Sequence, residues 1–440
     1  MFFGVIGGRG KEVWGQVLWV LGFAFFWILN SGVGVAGSDF SILNDWMFFD
    51  GLSWVHVQLS VFIMMLCIVG SSGINLLAKN RQFFLFCLTF SGLSLVMAFI
   101  SSSLFLFYWW FESSLLPLLW MIVGWGYEVE RVVAAKYMAI YTVGGSLPFL
   151  ALISWSFCSN GSLLLVGSLI GDLPGVWWAL AYLPFLVKVP VYGLHSWLPK
   201  AHVEAPAAGS MVLAGVTLKL GGYGLFRIKE VFGLGLGLLE IVIVVLSLWG
   251  AFIASLVCLR QVDYKCLIAY SSISHMGLVL AGIMSSSYWG WSGALVLMVA
   301  HAFSSSGLFF LSGVIYGGVG SRSFMVCRGI FSVSNSLMMP AFLLLAGNMA
   351  APLTLNLVGE IMLTVGLVGS FKIVWFILII ICFLTMAYSL HFFGGLFHGS
   401  ISSYTAIWSG PNVSEMLVAW VHLFAMFFCV LLLDFLMIWS

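Results

Sequence analysis

The segment from Leu186 to Gly224 reads LVKVPVYGLHSWLPKAHVEAPAAGSMVLAGVTLKLGGYG. It opens with an apolar run that Pro190 interrupts just after Lys188. From Pro206 onward the chain is again apolar over a length that can cross a bilayer, and Lys219 lies well inside this second run. A helix broken within the membrane frees backbone groups that must face protein or water, and transporters use such breaks near their ion paths. The segment therefore predicts a broken helix followed by a continuous one, each with a buried lysine.

The composition places the chain in a membrane. Of its 440 residues, 62% are hydrophobic and 7% are charged, with 16 Lys and Arg against 15 Asp and Glu for a net charge of +1. Soluble proteins carry about 25% charged residues, so this chain could not cover its surface against water. A near-neutral charge without a basic cluster excludes a nucleic-acid partner, because the phosphate backbone requires a basic protein face.

The apolar runs are long and continuous, and they predict about thirteen membrane-spanning helices. Continuous runs exclude a lipid-facing barrel, whose strands alternate with a period of two. The first run, Val13 to Ala36, is too long for a cleaved signal sequence and is interpreted as the first span. Polar connections such as Ser321 to Ser336 are too short to bury a core, so we expect one all-α, polytopic membrane domain over residues 1–440.

Prolines interrupt two of the expected helices. Pro190 lies beside Lys188, while Pro340 and Pro352 lie in the run that ends near Glu360. One broken helix in each half of the chain predicts an internal inverted repeat.

Ionisable side chains inside apolar runs are the candidate functional residues. A charge at mid-membrane costs roughly 2.5–3.5 kcal/mol, so several such residues imply mutual pairing or a hydrated interior. We expect Glu112 and Lys188 to form an ion pair for this reason. The strongest candidates are Glu112, Lys188, Lys219, His275, His301 and Glu360, and the weaker ones, nearer to span ends, are Glu240, Lys372, His391 and Asp434.

Some of these residues also have ordinary structural explanations. A Lys or Arg near a helix end usually extends its charge to the lipid headgroups, which fits Lys372, Arg227 and Lys229. A single buried His is more often a hydrogen-bonded core residue than a proton carrier, although an imidazole with a pKa of about 6.5 passes protons readily.

The sequence predicts neither a metal site nor an iron-sulfur site. The eight cysteines are scattered without a C-x-x-C pair. His195, His202 and Glu204 carry possible ligand atoms, but their spacing is not H-E-x-x-H and no third ligand follows at a standard interval.

Several motifs together resemble one protein family. Besides the Leu186–Gly224 segment, they are FESSLLP at Phe111–Pro117, YTVGGSLP at Tyr141–Pro148, IAYSSISHMG at Ile268–Gly277, AHAFSSSGLFF at Ala300–Phe310 and NLVGE at Asn356–Glu360. These long, collinear matches cover most of the chain from about residue 104 onward. The chain is similar to the chain 4 family of mitochondrial NADH:ubiquinone oxidoreductase, one of the antiporter-like membrane subunits of respiratory complex I.

The resemblance implies that the candidates form a proton relay. In this family the glutamate and lysine that match Glu112 and Lys188 are taken to move charge within the first half-channel. The lysine that matches Lys219 is regarded as the central relay.

The remaining candidates match other parts of the family's proton path. His275 and His301 correspond to histidines along its central hydrophilic axis, and Glu360 matches the glutamate of the second broken helix. His195 and His202 match histidines near the first half-channel, where they would give protons access.

The resemblance further implies an activity. The expected protein is a proton-translocating membrane-arm subunit of an NADH:ubiquinone reductase, which couples NADH oxidation and ubiquinone reduction in other subunits to proton pumping across the mitochondrial inner membrane. This chain is expected to perform no redox catalysis and to hold no cofactor, because NADH, FMN, iron-sulfur clusters and ubiquinone are used in other subunits. Its expected partners are the other membrane-arm subunits and the lipid bilayer, including cardiolipin, and no soluble substrate.

The expected organisation follows the family's internal repeats. Residues 1–103 would form the N-terminal helices, 104–228 the first repeat, 229–393 the second repeat and 394–440 the C-terminal helix. The predicted number of spans is one below the family's usual number, which suggests a missing or degenerate N-terminal helix. The loop GYEVER at Gly126–Arg131 also departs from the family, so Glu128 and Glu130 are given no role.

Two other functions remain open from the residues alone. The chain could act in an autonomous cation/proton antiporter, a class to which the family is related. It could instead be a structural spacer whose charges only fix the packing of its helices.

Overall fold

A computed structural model describes residues 12–35, 41–44, 46–71, 80–160, 164–165, 175–232, 237–400, 402 and 408–433. In chain order its α-helices are α1 (Glu12–Val35), α2 (Gly51–Gly70), α3 (Arg81–Phe99), α4 (Leu104–Ser113), α5 (Leu115–Trp125), α6 (Arg131–Asn160), α7 (Gly175–Lys188), α8 (Trp197–Glu204), α9 (Ala207–Val212), α10 (Leu218–Phe232), α11 (Leu238–Cys258), α12 (Tyr264–Met284), α13 (Tyr288–Val319), α14 (Ile330–Val333), α15 (Asn335–Asn348), α16 (Leu355–Ser370), α17 (Trp375–Phe397) and α18 (Val413–Phe428). A π-helix, Leu213–Thr217, joins α9 to α10, and 3-10 turns lie at Lys372–Val374 and Cys429–Leu432.

The long apolar runs do form helices that can span a membrane. Within the described ranges, 10 helices are long and apolar enough to cross a bilayer, and Val13–Leu29 and Leu355–Ser370 are shorter apolar helices. This confirms the predicted all-α, polytopic membrane fold, whereas the number thirteen stays a prediction. Two of the sequence assignments, the end of the first span at Ala36 and the candidate Asp434, lie outside the described residues.

The helices differ in how much of their surface faces other helices. The continuous segment Ala207–Phe232 and α13 are 100% buried over their most apolar stretches, and α12 is 89% buried. By contrast, α17 with its preceding turn and α18 with its following turn are each only 33% buried. The first set therefore forms the centre of the bundle, and the second set offers its apolar side chains to lipid.

The two ends of the bundle can be told apart by their contacts. At one end, which we call the first face, Trp178 packs against Phe232 with ring centroids 5.8 Å apart. Here also the Nζ of Lys229 donates to the hydroxyl of Ser286 over 2.7 Å. At the opposite end, the second face, Arg322 forms a 3.0 Å ion pair with Glu204.

Both broken helices occur where the prolines predict them. In the first, α7 ends at Lys188 and α8 begins at Trp197, and in the second, α15 ends at Asn348 and α16 begins at Leu355. Ala350 and Leu353 in the second break have positive φ angles of 56° and 70°, a conformation that tertiary contacts must hold.

The broken helices run in opposite directions through the bundle. The first starts at the first face, where Trp178 of α7 contacts Phe232, and ends at the second face with Glu204. The second ends at the first face, where the carbonyl of Gly366 in α16 accepts a 3.4 Å hydrogen bond from the hydroxyl of Ser287. Opposite directions agree with the predicted inverted repeat.

Two local features were not anticipated. A short antiparallel hairpin, β1 (Ser41–Asn44) and β2 (Met47–Phe49), precedes α2, with Ser41 paired to Phe49 and Ile42 to Phe48. The predicted border between residues 228 and 229 falls inside α10, which continues to Phe232. The division into repeats at that border remains a prediction.

Candidate functional site

Lys219 lies at the centre of the bundle, one residue into α10. Its side chain is fully buried, and its Nζ donates a 2.5 Å hydrogen bond to the carbonyl oxygen of Ala214. Ala214 belongs to the π-helix Leu213–Thr217, in which the wider turn displaces backbone carbonyls from the usual helical ladder. The π-helix thus supplies a backbone acceptor for the buried ammonium group of Lys219.

The second partner of Lys219 is His301 on α13. The Lys219 Nζ lies 2.9 Å from Nδ1 of His301, and both side chains are fully buried. An ammonium group can only donate, so a charged Lys219 requires an unprotonated Nδ1 in His301. The pair can therefore share a proton along one hydrogen bond.

His301 leads on to His275 and Glu360. The rings of His275 and His301 lie with their centroids 5.5 Å apart. Nδ1 of His275 is 3.6 Å from Oε1 of Glu360, and its Nε2 is 3.3 Å from the hydroxyl of Tyr388. Four of the predicted residues, counting Lys219, thus form one contiguous buried line from α10 to α16.

Lys188 and Glu112 lie near each other without the direct ion pair that the sequence predicts. The Lys188 Nζ sits 4.7 Å from the centroid of the Phe111 ring, so a cation–π contact takes the place of that pair. Glu112 still interacts electrostatically with Lys188, while its buried Oε1 has no hydrogen-bond partner in the described structure. Lys188 therefore contacts the ring next to the glutamate in sequence and not the carboxylate itself.

Glycines bring Lys188 close to the helix of Lys219. A Cβ on Gly221 would lie 3.0 Å from the Cβ of Lys188, and a Cβ on Gly224 would lie 2.0 Å from Cε1 of Phe185. Larger residues would push α7 away from α10. The LKLGGYG sequence therefore sets the spacing between the first broken helix and the central lysine.

The two histidines predicted for proton access occupy different environments. His202 on α8 is fully buried and stacks on Phe309 with ring centroids 4.3 Å apart. Among the described residues neither of its ring nitrogens has a hydrogen-bond partner. It interacts electrostatically with Lys219. His195 lies in the break between α7 and α8, partly exposed, where its Nδ1 accepts a 3.1 Å hydrogen bond from the Gly193 amide. The structure thus brings His202, but not His195, next to the central line.

Sequence reasoning missed several polar groups around the line. Tyr388 contacts His275, and the amide of Asn356 donates a 2.6 Å hydrogen bond to the carbonyl of Gly347 at the end of α15. Lys265 on α12 is fully buried and lies over the Tyr127 ring, 4.1 Å from its centroid. A tyrosine in an apolar run gives little signal, but Lys265 could have been found as a lysine near the start of such a run.

Three of the weaker candidates fall within the described ranges, and they lie away from the line. Glu240 is buried near the first face and accepts a 3.1 Å hydrogen bond from the hydroxyl of Tyr182. Lys372 and His391 are exposed, as expected for residues near span ends. No group of three or more His, Cys, Asp or Glu side chains positioned for a metal occurs among the described residues.

An ion network closes the second face of the bundle. Arg322 pairs with Glu204 over 3.0 Å and also contacts Glu128. Burial alone would lower the pKa of Arg322, but its bond to Glu204 and the charge of Glu128 hold it above its ordinary value. The network ties the end of α8, which carries His202, to the loop after α13.

Family models match nearly the whole chain. The model of NADH:quinone oxidoreductase/Mrp antiporter transmembrane regions matches residues 101–405. The model of the amino terminus of NADH-ubiquinone oxidoreductase chain 4 matches residues 5–98.

Solved structures show the same fold at low sequence identity. A chain of respiratory complex I from Thermus thermophilus with bound NADH superposes with a TM-score of 0.85 at 23% identity, covering 98% of this chain and 94% of that chain. A chain of the Mrp complex from Dietzia sp. DQ12-45-1b gives a TM-score of 0.86 at 16% identity, covering 97% of this chain and 92% of that chain. At these identities the two structures establish the antiporter-like fold alone.

Curated relatives are more similar in sequence. NADH-ubiquinone oxidoreductase chain 4 of Ceratitis capitata is 41% identical over 402 residues, which is 90% of this chain and 89% of that relative. The protein of the same name from Mytilus edulis is 42% identical over 384 residues, covering 86% of this chain and 87% of that relative. The chain therefore belongs to the NADH-ubiquinone oxidoreductase chain 4 family and is a membrane subunit of respiratory complex I.

Proposed function

We propose that this chain translocates protons in the membrane arm of complex I in the mitochondrial inner membrane. NADH oxidation and ubiquinone reduction take place in other subunits, and this chain converts their free energy into proton movement. The observation that carries the proposal is the buried line Lys219, His301, His275 and Glu360. Lys219 and His301 are 2.9 Å apart, the two histidine rings have centroids 5.5 Å apart, and Nδ1 of His275 lies 3.6 Å from Oε1 of Glu360.

In this proposal the proton moves along the line in three successive transfers. Lys219 gives a proton to Nδ1 of His301, which leaves a neutral amine and an imidazolium. His301 then loses the proton from Nε2, which is buried without a hydrogen-bond partner among the described residues, and water passes it to His275. Nδ1 of His275 faces the Glu360 carboxylate, which takes the proton and becomes neutral.

Lys188 and Glu112 control the proton transfer from Lys219 to His301. A charge change in a neighbouring subunit would alter the balance between the two side chains, which interact electrostatically while the Lys188 Nζ lies over the Phe111 ring. Because Gly221 brings Lys188 against the helix of Lys219, a shift of the Lys188 ammonium changes the electrostatic potential at Lys219. A positive charge moving toward Lys219 would drive its proton toward His301.

Replacement of Lys219 by Met tests the proposal. We expect the K219M complex to assemble and to reduce ubiquinone in uncoupled membranes, with fewer protons moved per electron in sealed inner-membrane vesicles. The matched control is K229M, because Lys229 is also buried on α10 but bonds to Ser286 at the first face. An unchanged proton-to-electron ratio in K219M would refute the proposal.

Autonomous cation/proton antiport is the second function that this fold allows. The structural likeness to the Mrp complex does not separate the two functions, because the complex I chain fits equally well. Sodium-dependent proton flux from the purified single chain would favour the antiporter.

A further inference from the structure

His56 is a buried histidine of α2 that the proposed line does not use. Its side chain is fully buried, and its Nδ1 lies 2.8 Å from the carbonyl oxygen of Leu52. A carbonyl oxygen can only accept a hydrogen bond, so Nδ1 carries the proton and Nε2 of the neutral ring is an acceptor. That Nε2 has no hydrogen-bond partner within the described part of the chain. The ring therefore holds one free protonation site inside the bundle.

His56 lies between the central lysine and the first face. It interacts electrostatically with Lys219 and with both members of the Asp50–Arg227 ion pair. Tyr223 follows Lys219 by one helical turn on α10 and precedes Arg227 by one turn, and its ring contacts His56 edge-on with centroids 5.5 Å apart. One face of α10 thus leads from Lys219 past His56 to the ion pair.

The outer end of this path has carboxylates near water. Arg227 pairs with Asp50 over 2.6 Å and with Glu230 over 2.8 Å, and the two carboxylate side chains are 15% and 39% exposed. The hydroxyl of Tyr223 donates a 2.7 Å hydrogen bond to the carbonyl of Phe99, which holds its ring against His56. Among these groups the free nitrogen of His56 is the one placed to take a proton between the carboxylates and Lys219.

We propose that His56 exchanges protons between Lys219 and the first face of the bundle. The proposal rests on the proposed role of Lys219. A proton leaving the Lys219 ammonium binds Nε2 of His56 through water and forms an imidazolium. It then passes through water to Asp50 or Glu230, and the ring returns to its neutral form. Uptake follows the same steps in reverse.

His422 provides a matched control on α18. Its Nδ1 also lies 2.8 Å from the carbonyl of the residue four positions earlier, Val418. It too is fully buried, and its Nε2 has no hydrogen-bond partner in the ranges that the structure describes. Unlike His56, it has no electrostatic interaction with a charged group in the described structure. The two histidines share their local hydrogen bonding and differ in their charged neighbours.

The test compares H56F, H422F and K219M in the assembled complex. Phe keeps an aromatic ring against Phe99 and Tyr223 but cannot be protonated. We expect H56F to slow proton translocation by about 100-fold, at the lower end of the usual contribution of a proton-transfer group, with uncoupled ubiquinone reduction unchanged. H422F should translocate protons at the wild-type rate.

The outcomes separate the inference from the proposed function. Normal translocation in H56F together with a loss in K219M would overturn the role of His56 alone. Normal translocation in both would overturn the function of Lys219, and the role of His56 with it. If H56F fails to assemble, H56Q keeps a polar side chain that does not titrate, and wild-type translocation in H56Q would equally overturn the inference.

Discussion

The Lys219 Nζ and the Nδ1 of His301 lie 2.9 Å apart, and both side chains are fully buried. Two groups that can each carry a positive charge therefore share one hydrogen bond at the centre of the bundle. They cannot both be charged without strong repulsion in a region of low dielectric constant. Their contact favours one shared proton, which is the arrangement that a relay needs.

Replacing Glu360 with Gln should stop transfer at the end of the line. Gln keeps the shape of the side chain but cannot take a proton from His275, whose Nδ1 is 3.6 Å from Oε1 of Glu360. We expect E360Q to lower the rate of proton translocation by about 100-fold, within the usual range for a lost acid–base group, whereas E360D should retain part of it. Proton uptake in sealed vesicles measures both, and equal rates in E360Q and wild type would contradict the assignment.

Removing the Tyr388 hydroxyl should have a smaller effect. That hydroxyl lies 3.3 Å from Nε2 of His275 and orients the ring toward Glu360. A hydrogen bond is worth about 1 kcal/mol, so Y388F should slow translocation about fivefold. The control is Y264F, because the Tyr264 hydroxyl bonds to the carbonyls of Ser312 and Ser321 instead. Equal rates in the two variants would exclude an orienting role for Tyr388.

The substitution E112Q distinguishes a relay from a structural spacer. Glu112 acts on Lys188 electrostatically and makes no direct ion pair with it within the described residues, so assembly should survive the loss of its charge. We expect normal amounts of E112Q complex with a lower proton-to-electron ratio. E240Q, at a buried glutamate bonded to Tyr182, should leave that ratio unchanged. Poor assembly of E112Q with normal coupling in the remaining complex would instead support a spacer.

Asp50 should stabilise the subunit in a pH-dependent way. It caps α2 by accepting a 2.9 Å hydrogen bond from the amide of Ser53, and it pairs with Arg227 over 2.6 Å. Burial alone would raise the pKa of Asp50, but the charge of Arg227 and the hydrogen bonds outweigh burial and hold this pKa below its ordinary value. D50A should therefore destabilise the fold by about 1.5–3 kcal/mol, the usual contribution of hydrogen bonds to a charged group, because Glu230 still pairs with Arg227.

The stability that Asp50 contributes should be lost in acid. A lowered carboxyl pKa contributes stability that is present above the ordinary value of 3.8 and is lost as the pH falls through the folded-state value. The difference in denaturation midpoint between wild type and D50A should thus be largest at neutral pH and should shrink in acid. The control is S103A, which removes the hydrogen bond from the Leu106 amide to the Ser103 hydroxyl that caps α4. It should lower the free energy of unfolding by about 1 kcal/mol, and this loss should not depend on pH in the same way. A D50A effect as small as that of S103A would show that the ion pair contributes little.

The sequence predicted the membrane fold and both helix breaks well, for physical reasons. Runs of apolar residues of bilayer length leave the chain few alternatives to helices, and Pro190 and Pro352 remove backbone donors where α7 and α16 meet their breaks. The sequence motifs that resemble the family cover the chain from about residue 104 onward. The family model of the amino terminus extends the similarity to residues 5–98.

The contacts inside the site were harder to predict. Nothing in the FESSLLP motif shows that Lys188 contacts the ring of Phe111 instead of the carboxylate of Glu112, because that depends on side-chain directions on α4 and α7. The π-helix before Lys219 also has no simple sequence signature. His56 was overlooked because a lone neutral histidine in an apolar run, without a motif, resembles an ordinary core residue.

A map of the assembled complex that resolves ordered water would be the decisive test of the buried relay. We expect a continuous file of waters that joins Lys188 to Lys219 and then His301 through His275 to Glu360, with neighbouring polar atoms within hydrogen-bond reach. A dry, apolar gap between Lys219 and Glu360 in every state of the working complex would contradict it.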